Sequence, residues 1–165
     1  GILSNFDLKK DNIIIWSDNK PGVFFRILWL FRRKMFNIES ATVGHTEIPG
    51  ITRYTITVTG NSDQVKNMCK QVAKLINVVK VQDVPSEMLV HRELALMKIA
   101  VKQRHEKNDA LRVIEHFRGR VINMTKDSLV IEITGDEEKI DAFYDNMKDF
   151  TIVEFVRTGR TALFK

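Results

Sequence analysis

The hexapeptide Ile56 Thr57 Val58 Thr59 Gly60 Asn61 returns 75 positions later as Ile131 Glu132 Ile133 Thr134 Gly135 Asp136, and this repeat constrains the fold more than any other feature of the chain. Beyond it, Val65, Met68, Cys69 and Val72 recur as Ile140, Phe143, Tyr144 and Met147. Each copy thus carries an i, i+3, i+4, i+7 apolar stripe after a strand and a glycine turn, the pattern of a strand, a turn and an amphipathic helix. Asn61 and Asp136 suit the N-cap, where a side-chain oxygen accepts a free amide of the first turn, and Glu137 and Glu138 suit the positive end of the helix dipole. A β-rich run follows each helix, at 78–84 and 152–156.

The upstream parts match more loosely. Phe31 Arg32 leads to Asn37 Ile38 in the first half, and Phe117 Arg118 Gly119 leads to Ile122 Asn123 in the second, each at a helix end entering a strand. Read outward, the first half orders as strand 12–17, helix 22–34, strands 38–46 and 52–59, helix 62–76 and strand 78–84. The second half orders as strand 93–101, helix 109–117, strands 120–125 and 128–134, helix 137–148 and strand 152–157. Two β-α-β-β-α-β units in tandem predict an α+β protein of two ferredoxin-like domains, at 12–84 and 91–158. Pro85 Ser86 Glu87 marks a linker at 85–90, and 159–165 is a tail. The ends, 1–11 and 159–165, show weak periodicity and are expected to be ordered only in part, by contact with a neighbour.

A chain of 165 residues, 44% hydrophobic and 28% charged, has the balance of a globular protein and needs no disulfide framework. Arg26 and then Arg32, Arg33 and Lys34 interrupt the longest apolar run, so no membrane-spanning stretch of ~20 apolar residues exists. A single cysteine, Cys69, together with first residues that lack a basic and then apolar leader, places the chain in the cytoplasm as an expectation. The net charge of +5 weakly favours acidic partners, but the charge is dispersed along the sequence. The densest cluster, Arg32 Arg33 Lys34, lies where a helix should end, and cations there complement the dipole; a phosphate site is the alternative.

Between the first strand and first helix runs Trp16 Ser17 Asp18 Asn19 Lys20 Pro21 Gly22 Val23. Such a turn leaves helix-start amides unpaired, and glycine lets a carboxylate or phosphate approach the backbone closely. Plain helix initiation, with Asn19 capping and Pro21 near the first helical position, explains the same residues. No Gly-Lys-Ser/Thr ending follows Gly22, so the loop is not a P-loop. The helix is apolar on more than one side. Val23, Ile27 and Leu30, joined by Phe24, Leu28 and Phe31, form the stripe expected to face the sheet, while Phe25 and Trp29 form a further i, i+4 pair that calls for a second partner, either the other domain or another subunit.

Four ordered motifs carry a family resemblance: Asn19 Lys20 Pro21 Gly22 Val23 with Asn37 Ile38 Glu39 Ser40 and Thr42 Val43; Val90 His91 Arg92 Glu93 Leu94 Ala95 Leu96 Met97 Lys98; Phe117 Arg118 Gly119; and Val156 Arg157 Thr158 Gly159. Together they resemble the small regulatory subunit of acetohydroxyacid (acetolactate) synthase, whose amino-terminal part is an ACT domain. The resemblance spans 12–159 in order. It implies a non-catalytic subunit that activates a large catalytic subunit and confers feedback inhibition by valine or a related branched-chain amino acid. It implies no cofactor in this chain, with thiamine diphosphate, Mg and FAD belonging to the catalytic partner. It also implies a homodimer of ACT domains paired edge to edge. In that arrangement Asn19, Gly22, Val23 and Phe24 of one copy would hold the effector against Asn37 and Ile38 of the other. Helix-start amides would take the carboxylate, the two asparagines would orient the polar end, and Val23 or Ile38 would contact the isopropyl group.

Two residues depart from the family pattern. Phe25 stands where a small or modest residue is usual, and its ring would reshape the pocket; Met35 replaces the glycine that commonly ends the helix, where a side chain in a left-handed cap costs about 1 kcal/mol or more. His45, His91, His105 and His116 lack metal-ligand spacing, so no metal site is expected. Cys69 occupies an apolar stripe and reads as a buried thiol, and no residues form a catalytic set. The competing reading is a nucleic-acid-binding ferredoxin-like module. It would use the sheet, where Thr55 and Thr57 are the expected exposed residues around Ile56, and these lack the aromatic pattern of such modules.

Overall fold

A computed structural model describes residues 9–165, and the expectation for the amino-terminal end lies, for residues 1–8, outside the described residues. The chain divides into two compact units. Unit 1 runs to Val90 and takes in Arg160–Lys165; unit 2 is His91–Gly159, so in sequence it is an insertion into unit 1.

Unit 1 contains β1 (Lys9–Asp18), α1 (Val23–Arg33), β2 (Asn37–His45), β3 (Ile51–Gly60), α2 (Ser62–Ala73) and β4 (Val78–Val84), with sheet order β2-β3-β1-β4. β5 (Leu89–Ala100), whose first two residues belong to unit 1, leads into α3 (Arg104–His116), β6 (Arg120–Met124), β7 (Ser128–Gly135), α4 (Glu137–Met147) and β8 (Thr151–Arg157). Their sheet order is β6-β7-β5-β8, and a last strand, β9 (Thr161–Phe164), pairs with β5. The strand pairs among β1–β8 are antiparallel, and the β-α-β-β-α-β order occurs twice.

The repeat sets equivalent registers. Gly60 pairs with Lys9 and Gly135 with Glu93, and the next residue caps a helix in each copy. Asn61 forms a capping box, its Oδ1 accepting the Gln64 amide at 2.9 Å and its own amide donating to Gln64 Oε1 at 3.1 Å. Asp136 Oδ1 accepts the Lys139 amide at 2.9 Å. α2 buries Val65, Met68 and Val72, and α4 buries Ile140, Phe143 and Met147, the stripes read from the sequence. α3 starts five residues before the expected 109, because Arg104–Asn108 is a polar first turn that no apolar spacing announces.

Alternation along β1 makes unit 1 three layers deep. Ile13 and Ile15 join Tyr54, Ile56 and Val58 of β3 beneath Val23, Ile27, Leu30 and Phe31 of α1 and the α2 stripe. Asn12, Ile14 and Trp16 point to the opposite face, where the carboxy-terminal segment lies across the sheet. Arg160 Nη1 donates to Asn12 Oδ1 at 2.9 Å and to Ser86 Oγ at 3.0 Å. Thr42 Oγ1 on β2 donates to Arg160 O at 2.6 Å, and Arg53 Nη2 on β3 donates to Ala162 O at 2.7 Å. Trp16 and Phe164 lie nearly parallel, and the Arg53 guanidinium sits 5.1 Å from the Trp16 ring centre.

This strap corrects two expectations. Residues 160–165 form an ordered element packed on their own chain, with Ala162 buried beside Ile14, Val84 and Leu89. Thr55 and Thr57 are buried, at 3% and 0% exposure, so this sheet offers no open face to a nucleic acid.

α1 ends in a Schellman motif: Phe36 N donates to Phe31 O and Met35 N to Arg32 O, both at 2.9 Å. Met35 therefore takes the left-handed cap, at φ 57°, the position anticipated for a glycine. α3 ends the same way, with Arg118 at φ 56° and Gly119 N donating to Ile114 O at 2.8 Å. Met35 is 91% exposed, so its side chain returns no burial for the strain. Met35→Gly is expected to stabilise the protein by about 1 kcal/mol, read as a higher midpoint at unchanged slope in urea unfolding.

Candidate functional site

The turn between β1 and α1 is held by its backbone. Asp18 N donates to Asn77 O at 2.8 Å, Asn19 N to Gly50 O at 2.9 Å and Lys20 N to Asp18 O at 2.9 Å. These bonds deliver the chain to Gly22, which adopts φ 83° and is itself the N-cap of α1. A left-handed conformation there favours glycine, which adopts it without strain. Asn19 does not cap the helix; no side chain does. The first intrahelical bond is Arg26 N to Gly22 O at 3.1 Å, so the amides of Phe24 and Phe25 precede any helical acceptor.

Electrostatics set this helix start apart. The first turns of α2, α3 and α4 contain Asp63, Glu106, and Glu137 with Glu138, whereas α1 has no acidic residue there. Arg26 adds a cation: its Nη1 would lie 3.4 Å from a Cβ at position 22, and its Nε is buried with no hydrogen-bond partner among the described residues. Sequence reasoning missed Arg26, although it stands four residues after Gly22, one helical turn away and on the same side. The arrangement suits an anion: two free amides, the positive end of a dipole and a guanidinium, around a glycine that leaves the backbone approachable.

The side chains expected beside this turn are placed unevenly. Asn19 is exposed. Val23 is 1% exposed and belongs to the core of unit 1, so its backbone borders the turn while its side chain is unavailable to a ligand. Phe24 stands at the margin of the core, its ring stacked 5.5 Å from that of Tyr54, whose hydroxyl accepts from Ser17 Oγ at 3.1 Å. Phe25, 71% exposed, and Trp29, 55% exposed, project from α1 away from the core.

Asn37 and Ile38 are elsewhere. Asn37 pairs with Thr59, which pairs with Lys10 at one end of β1; the turn follows Asp18 at the other end. Eight residues of strand separate them, roughly 27 Å at about 3.4 Å per residue. One copy of the chain does not bring the two halves of the expected site together. Asn37 Nδ2 donates to Glu39 Oε1 at 3.0 Å, which also accepts from Thr59 Oγ1 at 2.8 Å. Glu39 is a second residue the sequence reading passed over, two positions from Asn37 on the same face of β2. Ile38 packs partly on the core of unit 1.

Among the described residues no group of three or more His, Cys, Asp or Glu side chains could hold a metal ion, and no helix is long and apolar enough to cross a membrane.

Known proteins match both halves of the chain. Residues 13–80 match the family model described as the AHAS small subunit-like ACT domain, and residues 92–165 match the small subunit of acetolactate synthase. A probable acetolactate synthase small subunit of Methanothermobacter thermautotrophicus is 42% identical over 146 residues, 88% of this chain and 87% of that protein. The acetolactate synthase small subunit of Bacillus subtilis is 43% identical over 148 residues, 87% of this chain and 84% of that protein. The crystal structure of the acetolactate synthase small subunit from Thermotoga maritima superimposes with a TM-score of 0.89 at 35% identity, covering 95% of this chain and 98% of that one.

Cys69 is half-buried against the core of unit 1. Burial, reinforced by the charges of Asp83 and Asp11, pushes its thiol up to about 12. At pH 8 the native thiol should react with an alkylating probe about a thousandfold more slowly than a free cysteine, and unfolding should restore the ordinary rate. Because the folded value lies above the unfolded one, this group's stabilisation is complete below its unfolded pKa and is lost as pH rises toward about 12.

Proposed function

The chain belongs to the family of acetolactate synthase small subunits, and on that premise we propose that it is a non-catalytic regulatory subunit that raises the activity of a catalytic partner and makes it sensitive to valine or another branched-chain amino acid. Thiamine diphosphate, Mg and FAD belong, on this reading, to the partner. The observation that carries the effector site is the start of α1: a glycine cap at φ 83°, no capping side chain, no acid in the first turn, and Arg26 beside it. An α-amino acid presents its carboxylate to the free amides and Arg26. Its ammonium needs acceptors, for which the side-chain oxygens of Asn19 and Asn37 are suited. One methylene is worth only ~1–3 kcal/mol in an apolar pocket, so discrimination among branched-chain effectors is modest unless the exposed Phe25 ring clashes with the larger ones.

Topology supports a site shared between two copies. β2 is an edge strand with one side unpaired. If it pairs antiparallel with β2 of a second copy, the Asn37 end of one strand meets the His45 end of the other. His45 pairs with Thr52, and Thr52 with Ser17, beside the Gly22 turn. A twofold dimer of this kind makes two equivalent sites, each with a turn from one copy and Asn37 from the other. It also gives the exposed rings of Phe25 and Trp29 an apolar neighbour.

Calorimetry should show saturable binding of valine, leucine or isoleucine. Gly22→Asp should abolish it, since its carboxylate would take Arg26 and repel the ligand's own, and Asn37→Ala should weaken it at least tenfold. Mixing the two variants tests the sharing. Statistical heterodimers restore one intact site each, so about one quarter of the wild-type stoichiometry should return, whereas a site contained within one copy would return none. Adding the chain to a matched purified catalytic subunit should raise acetolactate formation; no effect on any matched subunit would overturn the regulatory assignment.

A further inference from the structure

We infer that the helical face of unit 1, formed by the end of α1 and the outer side of α2, is the surface that docks an acidic patch on the catalytic partner; this rests on the regulatory reading above. The observation behind it is an inversion of charge between the repeats. Lys66, Lys70 and Lys74 form an i, i+4, i+8 stripe on the exposed side of α2, and the residues 75 positions later are Asp141, Asp145 and Asp149. The buried stripes of the two helices match position by position, so the inversion is confined to the outward face. The sequence taken as a line disperses its charge; the division into units does not. Residues 1–90 with 160–165 hold 14 of the 26 Lys and Arg but only 8 of the 21 Asp and Glu, while 91–159 hold 12 and 13.

Two of the three acids are compensated within their own unit. Asp141 accepts from Arg157 Nη1 at 2.6 Å and Asp145 meets Lys148 Nζ at 2.9 Å. The basic stripe has no such partner among the described residues, and neither do the exposed Arg32, Arg33 and Lys34 at the end of α1. Lys34 shares a surface recess with Gln64 and Asn67, which joins the two clusters into one face. Asp63 is the sole acid on either helix.

Local stability explains only part of this pattern. Like charges four residues apart repel, and Lys66 lies in the amino-terminal half of α2, away from the end where the helix dipole favours a cation. The dipoles favour Arg32, Arg33 and Lys34 at the end of α1 and Lys70 and Lys74 at the end of α2, but they offset neither the repulsion along the stripe nor the charge of Lys66. The other surfaces of unit 1 are committed: the strap covers the back of the sheet, and the β2 edge with Phe25 and Trp29 is assigned to a second copy. An array of exposed lysines and arginines recognises carboxylates over a broad area, speeds encounter and weakens with salt.

The test uses the full chain and its matched catalytic subunit, with association rates measured by biolayer interferometry from about 50 to about 300 mM KCl. Wild type should associate at least tenfold more slowly at the high end. The triple variant Lys66→Glu/Lys70→Glu/Lys74→Glu should associate at least tenfold more slowly at low salt and lose most of the salt dependence, with its melting temperature and valine binding unchanged. Lys66→Gln/Lys70→Gln/Lys74→Gln should show a smaller effect in the same direction. A triple variant of equal charge change in unit 2, Lys102→Glu/Arg104→Glu/Lys126→Glu, should behave as wild type. If the α2 variant associates normally while wild type binds, or if the unit 2 variant is equally slowed, the docking surface is wrong and the regulatory reading stands. If wild type binds no matched catalytic subunit, both fall. Two further outcomes overturn the inference in favour of another occupant. One is binding of a mixed-sequence duplex at about 150 mM salt by wild type and not by the α2 variant. The other is loss, in that variant, of a wild-type oligomer larger than a dimer.

Discussion

Unit 1 depends on β1 being paired on both edges and buried on both faces. Ile13 and Ile15 sit beneath the helices, Asn12, Ile14 and Trp16 sit beneath the strap, and the strand hydrogen-bonds to β3 on one side and β4 on the other. A strand so enclosed cannot slip by one residue without exchanging its two apolar sets, which differ in size and polarity. Its end is therefore fixed, and with it the start of the turn that leads to Gly22. The backbone bonds from Asp18 to Asn77 and from Asn19 to Gly50 extend that rigidity through the turn to the first amides of α1.

The strap contributes to the same end from the other face. Its carbonyls accept from Thr42 on β2 and Arg53 on β3, tying the edge strand to the sheet interior. Arg160 is almost wholly buried, and its guanidinium is met by Asn12 and Ser86, with Asn12 Nδ2 in turn donating to Val84 O at 3.1 Å. A buried network of this kind is costly unless each member is satisfied, which favours one placement of the segment over others. The edge at which a second copy would pair is thus shaped by the last residues of the chain.

What the sequence made legible followed periodicity. The repeat placed both helix stripes and both caps, because buried faces and capping side chains act through neighbours three or four residues away. The strap left no such trace: Thr161–Phe164 is four residues with one buried side chain, and the side chains of Thr42 and Arg53 that hold the segment are more than a hundred positions earlier. For the same reason Thr55 and Thr57 read as surface, since a threonine alternating with isoleucine and valine describes a two-layer sheet equally well. At the site, Gly22 was legible as a special turn. The consumption of the Val23 side chain by the core, the cation supplied by Arg26 and the opposite placement of Asn37 are tertiary facts that no local spacing encodes.

The second repeat shows what the effector reading requires by lacking it. Its corresponding turn, from β5 into α3, runs through Val101, Lys102 and Gln103, with Gln103 as N-cap in extended conformation and no glycine. Glu106 in the first turn places Oε2 3.4 Å from the Lys102 amide, so a carboxylate of the chain itself attends the positive end of that helix. α2 and α4 are likewise served by Asn61 with Asp63, and by Asp136 with Glu137 and Glu138. Four helix starts in one duplicated fold face the same requirement for negative charge or acceptors, and three meet it internally. At α1 the chain supplies neither, adds Arg26, and spends a glycine at positive φ to keep the approach open. A helix start arranged in this way leaves the positive end of the dipole without an acceptor of the chain's own, which is the observation the proposed effector site rests on.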